Sequence, residues 1–155
     1  VIVWFQNANS GTNYSGALVK SIIKSALNIL SKDTEKVNTT PYVLNNYMNQ
    51  STQYVEGILK KHSLTPVVIG DGSTVIGQYP SGTTEVTTGS KVLVLTDGQK
   101  YTMPSMLGWS RKEAEAFASL TGVEIKMNGL GSIYAQSITK GTELKQGTVI
   151  ELYAK

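Results

Sequence analysis

The chain opens with two hydrophobic patterns, one typical of a buried strand and one typical of a helix. Residues 1–5, VIVWF, form an unbroken run of β-branched and aromatic side chains, which predicts a strand buried on both faces. From Ser15 onward apolar residues recur at helical spacing, on a wide stripe. One strand and one helix cannot bury such faces alone, so we expect residues 1–33 to belong to a larger domain. Residues 34–43 are polar, contain a proline and predict a linker.

Beyond the linker the hydrophobic pattern occurs twice, which indicates an internal repeat. The aligned segments are 44–73 with 103–132 and, after a one-residue deletion, 78–95 with 136–153. The recurring turn residues are Gly70, Gly72 and Ser73, which correspond to Gly129, Gly131 and Ser132. Gln78, Thr84, Glu85 and Gly89 recur as Gln136, Thr142, Glu143 and Gly147. We therefore expect two homologous units, 44–98 and 99–155.

Each unit is predicted to begin with a helix. In the second unit Ser110 and Glu113 have the spacing of a capping box, and Trp109 precedes the cap where a hydrophobic staple would pack on Ala114. In the first unit Ser51 keeps the cap position, but a tyrosine replaces the glutamate and a glycine lies in mid-helix. Since such a glycine costs about 1 kcal/mol relative to alanine, the first helix is expected to be the weaker.

Three short strands are predicted after each helix. The runs TPVVI and VEIKM lead into a glycine turn, a second short strand follows, and an alternating strand ends the unit. Val92 and Val94 in one unit, and Ile150 and Leu152 in the other, are expected to point inward, as are Ile58 and Phe117 on the helices. The predicted fold class is α+β, with one helix packed on a three-stranded sheet in each unit.

Composition excludes several classes of protein. The absence of cysteine excludes disulfides and thiolate zinc sites. The net charge of +3, from 14 basic and 11 acidic residues that are scattered along the chain, is too weak for nucleic-acid binding. The sequence contains no run of about 18 apolar residues, so it predicts no membrane span. No pattern of ligands suggests a metal or a cofactor.

Several motifs recur in both units: Gly-x-Gly-Ser after the first strand, a glutamine ending the next, and Thr-Glu-(Val/Leu)-x-x-Gly before the last. This set resembles the PASTA domain, a module of penicillin-binding proteins and serine/threonine kinases in Gram-positive cell walls. The units depart from the family pattern where Asn45 and Asn49 replace proline and glycine, and where Ile138 replaces proline. With residues 1–33 in front, the whole order resembles the C-terminal end of a class B penicillin-binding protein of the 2x type.

This resemblance implies a non-catalytic region of a peptidoglycan D,D-transpeptidase, the target of β-lactams and the site of β-lactam resistance, in septal cell-wall synthesis. The parent would be anchored by an N-terminal membrane helix on the outer face of the membrane. Implied partners are the rest of the transpeptidase domain, peptidoglycan or a muropeptide, and cell-division proteins. An isolated chain is expected to self-associate through Val1 to Phe5, an unpaired apolar strand. Two alternatives are the wall-sensing ectodomain of a transmembrane serine/threonine kinase and a purely structural spacer.

Three local matches suggest chemistry but are interpreted as structural. Ser21 and Lys24 have the Ser-x-x-Lys spacing of penicillin-interacting enzymes, but Ser21 lies two turns inside its predicted helix. The Ser-x-Asn and Lys-(Ser/Thr)-Gly partners are missing from the sequence. The glycine-rich stretch 70–77 precedes a strand rather than the helix that a phosphate loop needs. His62, the only histidine, ends a predicted helix without neighbouring ligands. We therefore assign no catalytic or metal-binding residue.

Two aromatic side chains are the candidates for ligand contact. Trp109 is either the staple residue or a flat face on which a sugar could stack, and Tyr79 lies in the strand after the first glycine turn. If the units bind muropeptide, we expect contact near Trp109 and Tyr79. Against a role as a saccharide platform, Tyr47, Tyr54 and Tyr79 are interpreted as packing and surface residues.

Overall fold

The computed structural model describes residues 41–155, so the predicted strand and helix in residues 1–33, and residues 34–40 of the predicted linker, lie outside the described residues. The first unit contains β1 (Tyr42–Val43), α1 (Thr52–Lys61), β2 (Thr65–Ile69), β3 (Val75–Tyr79), β4 (Glu85–Val86) and β5 (Lys91–Thr96). The second contains β6 (Tyr101–Thr102), α2 (Arg111–Thr121), β7 (Glu124–Asn128), β8 (Ile133–Gln136), β9 (Glu143–Leu144) and β10 (Val149–Ala154). The α+β class, with a helix and a three-stranded sheet in each unit, is confirmed.

The two sheets share one topology and one register. β5 lies parallel to β2 and antiparallel to β3, and β10 lies in the same way between β7 and β8. Thr65 pairs with Lys91, and Glu124 pairs with Val149, which are corresponding residues in the aligned repeat. A bulge interrupts both antiparallel ladders at the equivalent place. The register therefore confirms the alignment, and it places the one-residue deletion at Thr74.

Each unit also has a two-stranded sheet that the hydrophobic pattern did not reveal. β1 pairs with β4, and β6 pairs with β9. Tyr42 and Val43 were predicted as linker, and this is wrong, because Tyr42 pairs with Val86 and packs against the core of the first unit. A strand of two residues is too short to show the alternation by which strands are recognised in a sequence.

The recurring glutamine fastens the loop that precedes each helix. Gln78 Oε1 accepts a hydrogen bond from the Tyr47 N–H at 2.6 Å. Its Nε2 donates to the carbonyl oxygens of Asn45 and Pro80, both at 3.1 Å. Gln136 makes the three equivalent bonds with Met106, Pro104 and Ile138. Because both Nε2 bonds reach backbone carbonyls, the same arrangement forms whether proline or isoleucine follows the strand.

The helix starts differ as the sequence predicted. The Ser110 side chain accepts a bond from the Glu113 N–H at 3.4 Å, and Glu113 Oε2 accepts one from the Ser110 N–H at 2.7 Å. This capping box at α2 confirms the prediction. At α1 the Ser51 side chain makes no capping bond. The start of α2 is therefore the better secured of the two.

Replacing Ser110 by alanine should lower the free energy of unfolding by about 1 kcal/mol, because a backbone donor at the helix start loses its acceptor. The matched variant Ser51→Ala should change stability little, since its hydroxyl caps nothing. Urea denaturation of both variants measures the two losses. Equal losses would show that the capping box adds no stability to this fold.

Apolar side chains form two cores of unequal extent. The smaller lies within the first unit and comprises Leu44, Tyr47, Val55, Leu59, Leu64, Val75, Val86, Val92 and Val94. The larger comprises Met103, Met106, Trp109, Ala114, Phe117, Val123, Ile133, Leu144, Ile150 and Leu152 of the second unit together with Ile69, Leu93 and Leu95 of the first. The inward orientation predicted for Phe117, Val94 and Leu152 is confirmed. Ile58 is only half-buried, at the margin of the smaller core.

The larger core joins the two units because α2 packs on the outer face of β5 and β3. A Cβ atom at Gly77 would lie 3.0 Å from Leu120 Cδ2, so the glycine leaves the room that the helix needs. An ion pair between Lys91 Nζ and Glu113 Oε1, at 3.3 Å, crosses the same junction and is partly buried. Residues from both units thus share one interior.

The equivalent outer face of the second sheet is polar. Every residue of β5 after Lys91 is buried, so the alternation predicted for this strand is absent. In β10 the alternation is present, and Glu151 and Tyr153 occupy the positions of Leu93 and Leu95. The Tyr153 hydroxyl donates to Glu151 Oε2 at 3.2 Å, and this hydrogen bond to a carboxylate raises the pKa of Tyr153. Among the described residues no helix covers this face.

Candidate functional site

The two predicted contact residues lie in different surroundings. Trp109 is 3% exposed, and its ring meets Phe117 edge-on at a centroid distance of 6.3 Å. Packing is therefore the role of Trp109 in this structure, and a ligand could reach its ring only if the loop opened. Tyr79 is half-buried at the margin of the larger core. Contact between a ligand and Tyr79 stays a prediction.

The other tyrosines of the first unit divide between interior and surface. Tyr47 is buried, its hydroxyl lies 3.2 Å from that of Tyr42, and burial together with this hydrogen bond raises its pKa. The Tyr42 ring stacks on His62 with centroids 4.0 Å apart. Tyr54 is 59% exposed on α1. The single histidine thus has an aromatic neighbour, which supports the structural interpretation made from the sequence.

The glycine-rich turn at residues 70–73 has a structural explanation. Gly72 and Gly98 lie in two turns that cross, and a Cβ atom on either would collide with the backbone of the other. Asp97 Oδ1 accepts a hydrogen bond from the Thr74 N–H at 3.0 Å, and this bond lowers the pKa of the carboxyl group. The glycines therefore allow close approach of two backbone segments, and β3 follows where a phosphate loop would need a helix.

A cavity of about 540 Å³ lies at the junction of the linker between the units, the end of α2 and the segment around β9. Tyr101 and Leu120, both half-buried, form part of its wall. Glu143 and Lys145 form another part, on either side of the buried Leu144, so both charged side chains lie on the solvent side. The cavity surface is therefore mostly polar, with a small apolar part, one carboxylate and one ammonium group.

The end of α2 at this cavity leaves backbone oxygens without donors. The Gly122 N–H bonds to the Ala118 carbonyl at 2.8 Å, but no donor from residues 41–155 reaches the carbonyl oxygens of the lining residues Leu120 and Thr121. At the end of α1 the N–H groups of residues 62–64 bond to the carbonyls of Ile58, Leu59 and Lys60. Free carbonyls at a helix end carry partial negative charge, so the cavity wall at α2 favours positive groups.

Sequence reasoning did not identify this cavity. Glu143 drew notice only because it repeats Glu85, and Lys145 drew none. The available signal was a difference between the units, since Thr87 stands where the second unit has Lys145. The cavity itself depends on where α2 ends relative to β9, which no local pattern reveals.

Among residues 41–155 no group of three histidine or acidic side chains could hold a metal ion. The helices that the structure describes are too short or too polar to cross a bilayer.

Comparison with known proteins identifies the repeat. The PASTA domain family model matches residues 42–98 and 101–154. Penicillin-binding protein 2X from Streptococcus thermophilus is 20% identical with a TM-score of 0.68, and the match covers 87% of this chain but only 21% of that protein. A three-PASTA-domain region of a Ser/Thr kinase from Staphylococcus aureus is 27% identical, with 75% of this chain and 65% of that one covered. Its TM-score of 0.29 is too low to bear on how the units are arranged.

These matches agree with the paired sheets, the shared register and the two glutamine-fastened loops. The likeness to penicillin-binding protein 2X extends over both units in a single superposition, although the chain spans only about a fifth of that protein. At this identity the likeness concerns the fold. PASTA domains are non-catalytic modules, and the family model matches nearly all of the described residues. The chain belongs to the PASTA domain family and carries two of its domains in tandem.

Proposed function

We propose that this chain is the C-terminal, non-catalytic region of a peptidoglycan D,D-transpeptidase of the penicillin-binding class, and that its PASTA pair positions the enzyme at nascent cell wall. The observation that carries the proposal is the packing of α2 on the first sheet, which joins the two domains. A pair that shares one interior transmits position and orientation, whereas two domains on a loose tether would not. The fold-level match to penicillin-binding protein 2X spans both domains and supports the same reading.

The kinase ectodomain is the alternative, because PASTA domains also occur in Ser/Thr kinases such as the Staphylococcus aureus protein. The parent sequence ahead of residue 1 separates the two. A Lys-(Ser/Thr)-Gly strand there would support the transpeptidase proposal. A membrane span directly ahead would overturn it in favour of a wall-sensing kinase.

Fluorescent penicillin should not label the isolated chain, because its two Ser-x-x-Lys matches, Ser21 with Lys24 and Ser137 with Lys140, lack their partner motifs in the sequence. The full parent should be labelled in the same denaturing gel and serves as the positive control. Ser21 lies outside the described residues. The variant Ser21→Ala tests whether its hydroxyl is the group that reacts. A labelled band that disappears in Ser21→Ala would assign a nucleophile to this chain and contradict the non-catalytic role.

Positioning is tested in the parent by removing residues 41–155. The truncated enzyme should still react with penicillin but should lose its localisation at the sites of new wall synthesis. Unchanged localisation would favour the structural spacer, and loss of penicillin labelling would show that the PASTA pair supports the catalytic fold instead.

A further inference from the structure

The cavity at the end of α2 offers opposite charges at two places. We propose that it binds the zwitterionic form of a short peptide through its free amino and carboxyl termini. This inference goes beyond the positioning role and does not depend on it, because it concerns a site within the second domain and its linker.

The amino terminus has a defined place in this proposal. The carbonyl oxygens of Leu120 and Thr121, two lining residues, have no donor from residues 41–155, and the helix end adds the negative pole of its dipole. Glu143 lines the same cavity and supplies a full negative charge. An ammonium group offers three donors and a positive charge, so it satisfies oxygens that would otherwise be left to water.

The carboxyl terminus is placed by Lys145. Glu143 and Lys145 are two positions apart on either side of the buried Leu144, which sets their Cα atoms about 6.6 Å apart in extended chain. A free amino acid separates its amino nitrogen and carboxyl carbon by only about 2.5 Å, whereas an extended dipeptide spans up to about 7 Å. The spacing therefore favours a dipeptide over a single amino acid.

The side chain of such a peptide would meet apolar surface. Tyr101 and Leu120 are half-buried, pack against the larger core and supply the small apolar part of a cavity surface that is mostly polar. A dipeptide with one aliphatic side chain, such as glycyl-leucine, has all three complementary features. It is the probe for the test.

The first domain provides an internal control, since it lacks the lysine and the free helix-end carbonyls and keeps only the glutamate. Thr87 stands in place of Lys145, and the carbonyls at the end of α1 are bonded to residues 62–64. Glu85 is the counterpart of Glu143. Binding should therefore map to the second domain alone.

The test is a titration of the isotope-labelled chain with glycyl-leucine, followed by NMR at the amides of Tyr101, Gly122 and Gln146. Saturable shifts are expected at these amides. Glu143→Gln and Lys145→Gln should each weaken binding about threefold, as for an exposed ion pair, and added salt should weaken it further. The charge-matched controls Glu85→Gln and Lys140→Gln should bind as the unchanged chain does.

Altered ligands complete the test. N-acetylglycyl-leucine lacks the ammonium group and glycyl-leucine amide lacks the carboxylate, so both should bind more weakly than the parent dipeptide, as should free leucine. Equal binding of the capped peptides would overturn the proposal, because the charges would then not be recognised. Shifts confined to the first domain, or shifts that do not saturate, would overturn it as well.

Discussion

Replacing Phe117 by alanine is expected to lower the free energy of unfolding of the PASTA pair by about 3–5 kcal/mol. The ring is 0% exposed and packs edge-on against Trp109 in the core that both domains share. Its removal loses apolar burial and leaves a cavity that the helix backbone cannot close. Urea denaturation followed by circular dichroism measures the loss.

Ile58→Ala is the matched control, because Ile58 is the aligned residue of α1 but is only half-buried. Its loss should be clearly smaller, about 1–2 kcal/mol, in proportion to the apolar area removed from water. A loss below about 1 kcal/mol for Phe117→Ala would mean that the shared core relaxes around the gap or contributes little to stability.

Replacing Leu93 by glutamate, the residue that occupies the equivalent position in β10, is expected to separate the two domains. Leu93 is 0% exposed between β5 and the larger core, so the new carboxylate would be buried without a partner. Such a charge costs about 3 kcal/mol or more, or it is relieved when α2 leaves the sheet. The inner core of the first domain, with Val92 and Val94, would remain.

Calorimetry distinguishes the two states of the pair. The unchanged protein should unfold in one transition with equal calorimetric and van't Hoff enthalpies, because the domains share a core. Leu93→Glu should show two transitions, the first at lower temperature. Glu151→Leu is the reciprocal control, and it should leave a single transition, since Glu151 lies on an uncovered face. A single, unshifted transition in Leu93→Glu would show that the packing of α2 on the first sheet contributes nothing to stability.

The repeat shows which features of this fold can be predicted from local sequence patterns. Turn glycines and the recurring glutamine aligned the two domains, and the strand registers of both sheets follow that alignment. Ser110 and Glu113 predicted the start of α2, because a capping box depends on two residues three positions apart. Such features were predictable, since the interacting atoms belong to neighbours in sequence.

Predictions failed or stayed open where the partner lies far away in the chain. Strand β5 was expected to alternate, but its outer face is covered by a helix that begins about 15 residues after the strand ends. Trp109 could not be assigned between packing and ligand contact, since an aromatic ring next to a helix cap suits either role until its neighbours are known. The sequence did not predict that Tyr42 lies in a strand, because its partner Val86 lies in the opposite half of the domain.

The sequence by itself determined the two domains, their helix starts, their inward-facing strand residues and the family to which they belong. Those properties rest on periodicity and on motifs whose parts lie close together. Only the tertiary structure decided that α2 of the second domain covers the first sheet, and that the cavity beside Glu143 and Lys145 forms at the end of that helix. Both depend on the relative orientation of whole elements, which is set by many weak contacts between distant residues and by no local pattern.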